Sequence, residues 1–385
     1  MAQTKIVKVD PLNINEDYIR QAAEIIKNGG LVIIPTETVY GIAGDFLNQK
    51  ATARMSEIKK RPKDKPFAAA IDKKEKIEEF AREVPQAAYK LIHQFWPGPL
   101  TIILKGINKA VTAGPDFPGV DGGHIRSIGL RMPDNAIALK VIAESSRPLA
   151  LSSANLSGEP APVNFESAIK SLDGRVDLAI DSGPLKIGVE STVVDFTSKT
   201  QRIVRLGAIK EEEINKTIAR KNILFVCSGN TCRSVMAEAF FKKMMRDEKR
   251  FDIGVFSAGV MAVPGIGVSQ SAKEVLAREG IDISNHVSQR ATREMLRQSD
   301  LVLVMEREQE NAVLKLAPEV ENRVFLLKEF ADPVRNNNLI AKIPKGAKID
   351  GNELDIADPM GKPLSYYENT FASIKEALER VKKLI

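Results

Sequence analysis

One short stretch, Ile223 to Ser234, combines residue types that can carry out phosphate chemistry. Four apolar residues are followed there by the run Cys227-Ser-Gly-Asn-Thr-Cys-Arg-Ser. The apolar residues predict a buried strand, and the run from Met236 to Phe241 predicts a helix. A loop between a strand and a helix N-terminus presents unpaired N–H groups to an anion and favours the thiolate form of a nearby cysteine. The stretch is therefore predicted to be an anion site that contains a nucleophile.

The remaining residues of this loop fit the same chemistry. Arg233 has a planar fork that can bind two phosphate oxygens, while Gly229 and Asn230 tolerate the positive φ of a tight turn. The alternative is a buried structural cysteine beside a helix cap, because free cysteines are usually buried and inert. The joint presence of Cys227, Arg233 and Ser234 favours the catalytic interpretation.

The chain beyond the loop supplies elements that could position it. Strands and helices alternate there, which indicates a small parallel sheet with the Cys227 loop at the C-terminal end of its first strand. Two Asp-Pro pairs, at Asp332 and Asp358, could supply an acid that protonates a leaving group. Asp332 follows a strand closely and is interpreted as a turn former. The further strands are predicted at 255–259, 301–305 and 323–327, and helices at 272–278 and 366–383.

The composition limits the possible classes of protein. A chain of 385 residues that is 43% hydrophobic can bury a large core, and its length suggests two or three domains. The chain has only two cysteines, Cys227 and Cys232, which excludes a disulfide-built fold and a zinc site of four cysteines. We found no apolar run of about 18 residues and no signal-type block, so we expect a cytoplasmic protein without a membrane partner. The net charge of +6 suits phosphorylated or nucleotide ligands, and an ordinary lysine-rich surface equally well.

More than 200 residues precede the Cys227 loop, and they also read as an α/β domain with one central sheet. An amphipathic helix is predicted over Glu16–Lys27, and a buried strand follows at Leu31–Pro35. Further strands are predicted at 67–71, 100–104, 128–131, 149–151, 178–180 and 192–195, with helices near 48–60, 85–95 and 134–144.

Polar residues gather where these predicted strands begin or end. Thr36 and Thr38 follow the first strand, Ser152-Ser-Ala-Asn155 follows another, and Glu190-Ser-Thr192 leads into a third. Ligands of open α/β sheets favour such strand ends. The basic run from Lys59 to Lys65 is interpreted either as a phosphate clamp or as an ordinary solvated loop. The sequence has no Gly-x4-Gly-Lys-Ser/Thr motif, so a nucleotide would not be held in the P-loop manner.

Together these pieces resemble the YrdC/YciO family, whose threonylcarbamoyl-AMP synthases act in making the threonylcarbamoyladenosine of tRNA. The resemblance implies a twisted open sheet with helices and a reaction that joins L-threonine, bicarbonate and ATP and releases pyrophosphate. It also implies Mg2+ as a cofactor and downstream tRNA-modifying proteins as partners. The motifs, in order, are Pro35-Thr-Glu-Thr-Val-Tyr-Gly41, Lys59-x-Arg61-Pro, Trp96-Pro-Gly-Pro-Leu-Thr101, Ile128-Gly-Leu-Arg-Met-Pro133, Ser152-Ser-Ala-Asn-Leu-Ser-Gly158, Gly188-Val-Glu-Ser-Thr-Val-Val-Asp195 and Arg205-Leu-Gly207.

The resemblance assigns two groups of binding residues and no protein-held metal site. The residues that it implies for ATP are Lys59, Arg61, Lys65, Ser127, Asn155 and Arg205. Those that it implies for threonine are Thr36, Arg131, Ser153 and Ser191.

Three positions depart from the family pattern. Lys65 replaces an asparagine, Ala70 replaces a histidine, and Val163 stands where a serine or threonine often contacts ATP. These changes leave open a sister activity of the YciO kind. They also leave open a nucleotide- or RNA-binding module without synthase activity.

The Cys227 loop, with its pattern Cys-x5-Arg-Ser, resembles that of the low-molecular-weight protein tyrosine phosphatases. The resemblance implies a cofactor-independent enzyme in which Cys227 attacks phosphorus, Arg233 binds the transferring oxygens and Asp358, in Asp358-Pro-Met, is the acid. Cys232 would be able to form a reversible disulfide with Cys227, as in many relatives. The implied supporting residues of the loop are Ser228, Gly229, Asn230, Thr231, Cys232 and Ser234.

Thr231 bears on the substrate of this second domain. Tyrosine-directed members often carry isoleucine at this position, whereas bacterial protein-arginine phosphatases share Gly-Asn-Thr-Cys-Arg-Ser with this chain. The resemblance therefore favours phosphoarginine over phosphotyrosine proteins as substrates. The expected domains are residues 1–208 and 222–385, joined by a charged linker at 209–221 that is predicted to contain a short helix. Two long polar segments, 107–126 and 334–354, are predicted to be mobile loops.

Overall fold

The chain divides into two units, residues 1–218 and 219–385, in a computed structural model that describes residues 3–62, 65–107, 116–118, 124–332 and 354–385. Most of the two long segments predicted to be mobile loops lies outside the described residues. None of the helices in the described ranges is both long and apolar enough to cross a membrane.

The first unit is built on a mixed sheet with twelve strands in the described ranges, ordered β1-β10-β2-β3-β9-β4-β8-β6-β11-β12, with β5 on β6 and β7 on β8. Its strands are β1 (Lys5–Lys8), β2 (Val32–Ile34), β3 (Gly41–Asp45), β4 (Ala68–Ala70), β5 (Ala81–Arg82), β6 (Leu100–Gly106), β7 (Asp116–Pro118), β8 (His124–Arg131), β9 (Leu149–Ser153), β10 (Leu178–Asp181), β11 (Thr192–Asp195) and β12 (Arg202–Arg205). Its helices are α1 (Glu16–Lys27), α2 (Gln49–Ile58), α3 (Ile77–Phe80), α4 (Gln86–Phe95), α5 (Ala136–Ser145), α6 (Phe165–Lys170) and α7 (Glu211–Ala219).

Both faces of this sheet are covered by apolar side chains. Alternation along β2 sends Val32 and Ile34 into a cluster with α1 and α5, while Ile33 enters the larger cluster on the opposite face. Helix α1 begins at an Asn15 cap that accepts a hydrogen bond from the Asp17 N–H, and it buries residues at helical spacing. The predicted helix of the charged segment is α7, whose Ile214 is fully buried in the core of the first unit.

The second unit has a parallel sheet in the order β14-β13-β15-β16. Its strands are β13 (Lys221–Cys227), β14 (Ile253–Gly259), β15 (Leu301–Val304) and β16 (Val324–Leu326). Its helices are α8 (Arg233–Asp247), α9 (Gln270–Arg278), α10 (Arg293–Gln298), α11 (Arg307–Leu316), α12 (Leu327–Ala331) and α13 (Leu364–Val381). The predicted parallel sheet is confirmed, whereas α10, α11 and α12 were not predicted.

The strand register places the Cys227 loop at the C-terminal edge of this second sheet. Cys227 pairs with Gly259 on β14, and Val226 pairs with Val304 on β15. The loop approaches β14 so closely that a Cβ on Gly259 would lie 2.6 Å from the Ser228 carbonyl oxygen. Glycine is required there because any side chain would push the loop away.

Candidate active sites

The Cys227 thiol lies where β13 ends, and two groups contact its sulfur. The Ser234 hydroxyl is 3.0 Å from Cys227 Sγ, and the Asn230 N–H donates to Sγ at 3.2 Å. Ser234 is in the first turn of α8, so the thiol also faces a helix N-terminus. The Asn230 N–H and the helix N-terminus thus direct partial positive charge towards the sulfur and towards any anion bound beside it.

Asn230 fixes the conformation of the loop through its buried side chain. Its φ of 56° is in the left-handed region that asparagine tolerates better than most residues, and its side chain is fully buried. Its Nδ2 donates to Ser234 Oγ at 3.0 Å and to Ser257 Oγ at 2.8 Å. Its Oδ1 accepts from the Gln289 N–H at 2.9 Å, and His286 Nε2 lies 3.2 Å from its carbonyl oxygen. The amides of the loop are therefore fixed before any anion binds.

Arg233 is 1% exposed and is surrounded by acceptors. Its Nη1 donates to the Ile356 carbonyl at 2.9 Å and lies 2.5 Å from Glu306 Oε1. Its Nη2 donates to Asp358 Oδ2 at 2.6 Å and to Ser228 Oγ at 3.4 Å. The structure therefore brings together the Cys227 loop, Arg233 and Asp358, which the sequence singled out as the predicted nucleophile loop, phosphate ligand and acid. The other Asp-Pro aspartate, Asp332, follows α12.

Glu306 and Gln309 also belong to this site, although the sequence reasoning missed them. Gln309 Nε2 donates to Ser228 Oγ at 3.1 Å and to Glu306 Oε2 at 2.9 Å. Both residues follow the C-terminal end of β15, next to the end of β13. The available signal was Glu306, the first polar residue after the buried strand, since parallel strands deliver the residues that follow them to the same edge.

Thr231 and Cys232 complete the loop. Thr231 is 9% exposed, and a Cβ on Gly229 would lie 3.6 Å from Thr231 Oγ1 and 3.8 Å from Met360 Cε, so both residues flank the loop at Gly229. Cys232 Sγ donates to Ser269 Oγ at 3.2 Å and lies 3.7 Å from the Tyr367 hydroxyl. Burial and the Cys232 contact raise the pKa of Tyr367, which therefore keeps its proton. Cys232 and Cys227 are both free thiols, so their proposed disulfide stays a prediction.

In the first unit, Lys59 directly follows α2, and its buried side chain hydrogen-bonds to the backbone at the end of β9. It is 2% exposed, and its Nζ donates to the carbonyls of Ser153 and, at 2.6 Å, of Asn155. Burial, reinforced by repulsion from Arg61, lowers the pKa of Lys59 to about 8, although Glu190 and Glu159 oppose the shift. Burying the charged form of Lys59 is therefore costly, and buried cations with a shifted pKa are common in ligand-binding sites.

Arg61 follows Lys59 by two residues, and backbone carbonyls hold its side chain. Its Nε donates to the Lys65 carbonyl at 2.8 Å, its Nη2 donates to the Pro66 carbonyl at 2.9 Å, and its guanidinium stacks 4.9 Å from the Phe67 ring centre. Burial and repulsion from Arg205 lower the pKa of Arg61. The Lys65 side chain is exposed.

Arg205 connects the residues predicted for ATP with those predicted for threonine. Its Nη1 donates to Glu190 Oε1 at 2.6 Å, and its Nη2 donates to Ser191 Oγ at 3.1 Å. Ser191 Oγ is in turn 2.9 Å from Thr101 Oγ1. Ser127 is further along β8 and is paired in register with Lys105.

The Arg131 guanidinium is at the end of β8, against the loop that follows β2. Its Nη2 donates to Glu37 Oε1 at 2.8 Å and to Thr38 Oγ1 at 2.7 Å, and Thr38 Oγ1 is 2.9 Å from Thr36 Oγ1. Ala70, which replaces the family's histidine, is the register partner of Arg131 on β4. Sequence reasoning missed Glu37, although it stands between the two threonines that were identified.

Val163, the remaining departure from the family pattern, is 46% exposed. A Cβ on Gly188 would lie 3.7 Å from Val163 Cγ1. Among the described residues, no group of three or more histidine, cysteine, aspartate or glutamate side chains is arranged to hold a metal ion.

Comparison with known proteins gives a separate match for each half of the chain. The model of the Sua5/YciO/YrdC family, described as "Telomere recombination", matches residues 24–207. The model of low molecular weight phosphotyrosine protein phosphatases matches residues 222–385.

Individual relatives agree with these two matches. The threonylcarbamoyl-AMP synthase of Pyrococcus abyssi is 40% identical over 210 residues, which are 54% of this chain and 60% of that relative, so less than two thirds of its length is covered. The protein-arginine-phosphatase of Bacillus subtilis is 33% identical over 162 residues, covering 42% of this chain and 95% of that protein. The crystal structure of Pyrococcus abyssi Sua5 complexed with L-threonine has a TM-score of 0.51 at 27% identity, covering 84% of this chain and 99% of that chain.

Proposed function

We propose a function for each unit from the premise that the chain belongs to the Sua5/YciO/YrdC family over residues 24–207 and to the low molecular weight phosphotyrosine protein phosphatase family over residues 222–385. The first domain makes threonylcarbamoyl-AMP from L-threonine, bicarbonate and ATP for tRNA modification. The second domain is a cysteine-dependent protein phosphatase. The chain is thus a bifunctional enzyme with domains at 1–208 and 222–385.

The phosphatase proposal is supported chiefly by the placement of Arg233 between the Cys227 loop and Asp358. The Cys227 thiolate attacks phosphorus while Arg233 and the loop amides bind the three equatorial oxygens. The bond from phosphorus to the leaving group breaks, and Asp358 protonates that group. Asp358 then takes a proton from water, which cleaves the sulfur–phosphorus bond and releases inorganic phosphate. No cofactor is required.

Phosphoarginine is the proposed substrate of this domain. The Bacillus relative that covers the domain is a protein-arginine-phosphatase, and this chain has Thr231 where tyrosine-directed members often have isoleucine. The residue after Asp358-Pro is Met360, which offers no aromatic wall for a phosphotyrosine ring. Phosphate release by the full chain from phosphoarginine and phosphotyrosine peptides would test the preference. Activity that survives in Cys227→Ser would contradict the mechanism.

The synthase proposal is supported chiefly by the buried cation Lys59, which donates to the Asn155 carbonyl, and by Arg205, which donates to Ser191. Lys59 and Arg61 would neutralise the pyrophosphate leaving group, and Arg205 would contact the nucleotide. Ser127 and Asn155 are further proposed ATP contacts, and Lys65 is a further phosphate contact. Since none of the residues proposed for this site resembles a covalent nucleophile, catalysis would depend on positioning and on charge neutralisation.

Threonine is proposed to bind beside these cations. The similar Pyrococcus Sua5 structure holds L-threonine, which supports this choice of amino acid. Arg131 would bind the carboxylate, and Thr36, Ser153 and Ser191 would complete the site. Mg2+ is usually held by substrate phosphates and one or two carboxylates, so it would arrive with ATP. Glu190, which accepts from Arg205, is a carboxylate that would lie near those phosphates if Arg205 contacts the nucleotide.

Mass spectrometry of the adenylate formed by the full chain from threonine, bicarbonate and ATP tests the synthase proposal. Threonylcarbamoyl-AMP should appear together with pyrophosphate, and neither should form with Lys59→Met. Ala70 and Val163 favour a second candidate, a nucleotide- or RNA-binding module without synthesis. Tight RNA binding without turnover of any amino acid would support that candidate and contradict the synthase.

A further inference from the structure

The ion pair between Glu37 and Arg131 is unusual because each partner has a buried polar atom that no described residue hydrogen-bonds. The Glu37 side chain is 1% exposed and the Arg131 side chain is 9% exposed. They are joined by one contact of 2.8 Å, from Arg131 Nη2 to Glu37 Oε1. Glu37 Oε2 and Arg131 Nε are both buried, and neither has a hydrogen-bond partner among the residues that the structure describes.

An end-on pairing of this kind leaves unused binding capacity in the site. A side-on pair would use Nε and Nη2 of the guanidinium together with both carboxylate oxygens. Here Nη2 is shared between Glu37 and Thr38 Oγ1, at 2.8 and 2.7 Å. Unpaired atoms of buried charged groups are costly, so a native site usually provides partners for them.

The surrounding elements hold this geometry. The Ile187 N–H donates to the Glu37 carbonyl at 2.9 Å, which fixes the loop after β2. Thr36 Oγ1 accepts from the Val39 N–H at 3.2 Å and lies 2.9 Å from Thr38 Oγ1. The register partner of Arg131 on β4 is Ala70, whose methyl group cannot hydrogen-bond to the guanidinium. A partner for Arg131 Nε is therefore not supplied from that position.

We propose that Glu37 and Arg131 together bind the zwitterion of an α-amino acid, with the ammonium on Glu37 Oε2 and the carboxylate on Arg131 Nε. This inference rests on the proposed synthase function and assigns Glu37 a direct contact with the substrate. An α-amino acid carries an ammonium and a carboxylate on one carbon, and the ion pair carries an unused acceptor and an unused donor on adjacent groups. A nucleotide or a simple carboxylic acid would satisfy the arginine only.

The test compares ligands that lack one of the two charges. Threoninol has the ammonium but no carboxylate, and 3-hydroxybutyrate has the carboxylate but no ammonium. Glu37→Gln keeps the size of the side chain and an acceptor for Arg131, but it removes the negative charge. In the full chain, we expect this variant to raise the KM for threonine and the inhibition constant of threoninol by about 10- to 100-fold. The inhibition constant of 3-hydroxybutyrate and the KM for ATP should change less than threefold.

A matched control separates this effect from loss of charge in general. Glu83 pairs with Lys105 at 2.6 Å on the surface of the same unit, so Glu83→Gln should leave all four constants unchanged. Folding of each variant is read from the fluorescence of Trp96, the one tryptophan of the chain, which is 3% exposed. If Glu37→Gln does not fold, Glu37→Asp keeps the charge on a shorter side chain. This variant should weaken the binding of threonine and of threoninol by the same factor, and it should leave the inhibition constant of 3-hydroxybutyrate unchanged.

The outcomes distinguish this inference from the function on which it rests. If the unaltered chain releases no pyrophosphate with any amino acid, the synthase proposal fails. In a second outcome, the unaltered chain is active while a folded Glu37 variant weakens the binding of threoninol and of 3-hydroxybutyrate equally. In that case Glu37 only supports Arg131, and the zwitterion inference is wrong. An unchanged KM for threonine in Glu37→Gln overturns it as well.

Discussion

Glu306 Oε1 lies 2.5 Å from Nη1 of Arg233, although the two residues belong to different strand ends of the second sheet. Glu306 is a positioning residue, because it contacts the proposed phosphate-binding group rather than the phosphate. Glu306→Gln keeps an acceptor but removes the charge that fixes the guanidinium. We expect kcat/KM for aryl phosphates to fall about tenfold, which corresponds to the loss of one charged hydrogen bond of about 1.5 kcal/mol.

The neighbouring acid provides the control for this prediction. Glu308 is exposed on α11, two residues beyond Glu306. Glu308→Gln should retain the kcat/KM of the unaltered chain. Equal losses in both variants would mean that net charge matters, rather than the contact with Arg233.

Asp358 is predicted to act as an acid, so its importance should depend on the leaving group. Asp358→Asn should lower kcat by 10²- to 10⁴-fold for phosphate esters of weakly acidic phenols. The loss should be much smaller for p-nitrophenyl phosphate, because p-nitrophenolate leaves without being protonated. Single-turnover rates across a series of phenols would measure this dependence.

The second Asp-Pro pair is a control for the same substitution. Asp332 follows α12, and its N–H donates to the Glu329 carbonyl at 3.2 Å. Asp332→Asn should leave the dependence on the leaving group unchanged. A loss in Asp358→Asn that is the same for every phenol would assign Asp358 to orienting Arg233, which it contacts at 2.6 Å, and not to proton transfer.

Sequence predicted the parts of both sites that are local in the chain. The strand, loop and helix around Cys227 follow one another directly, and motifs of this kind also carried both family resemblances, which the comparisons confirm. The contacts from Gln309 to Ser228 and from Arg131 to Glu37 join residues 81 and 94 positions apart. Such contacts depend on strand order, which hydrophobic periodicity does not specify.

Strand β3 shows why some elements were missed as well. Its sequence, Gly-Ile-Ala-Gly-Asp, has a low intrinsic preference for a strand. It is nevertheless fully buried, because it pairs with β2 on one side and with β9 on the other. Tertiary pairing outweighs local preference here. The glycines serve a packing role, since a Cβ on Gly41 would lie 2.7 Å from Leu151 Cδ1.

Thr231 should influence which phosphoryl bond is cleaved. Thr231→Ile removes a hydroxyl from a side chain of the Cys227 loop that is 9% exposed, and it adds apolar bulk. We expect the ratio of kcat/KM for phosphoarginine to that for phosphotyrosine peptides to fall at least tenfold, because a site loses discrimination when a polar contact is removed. Thr231→Ser, which keeps the hydroxyl, should retain the ratio. If the ratio is unchanged in Thr231→Ile, other residues, such as Met360, determine the specificity.

The buried Lys59 charge should make the stability of the first unit depend on pH in a specific direction. Its pKa of about 8 in the folded unit is below the ordinary value of 10.5, and burial is the main cause. Below pH 8 the lysine is charged in both states, so burying it lowers stability by at most about 3 kcal/mol. Between pH 8 and 10.5 the unfolded chain binds more protons than the folded unit, so this penalty is relieved and stability rises with pH.

Lys59→Met should remove this dependence. In urea unfolding followed by Trp96 fluorescence, the variant should be more stable than the unaltered chain at pH 7, and the difference should shrink as the pH rises towards 10. Lys50→Met, at an exposed position on α2, is the matched control and should show a difference that does not vary with pH. If Lys59→Met is less stable at pH 7, the hydrogen bonds from Nζ to the Ser153 and Asn155 carbonyls outweigh the desolvation cost. The lysine would then be a structural residue as well as a proposed ATP contact.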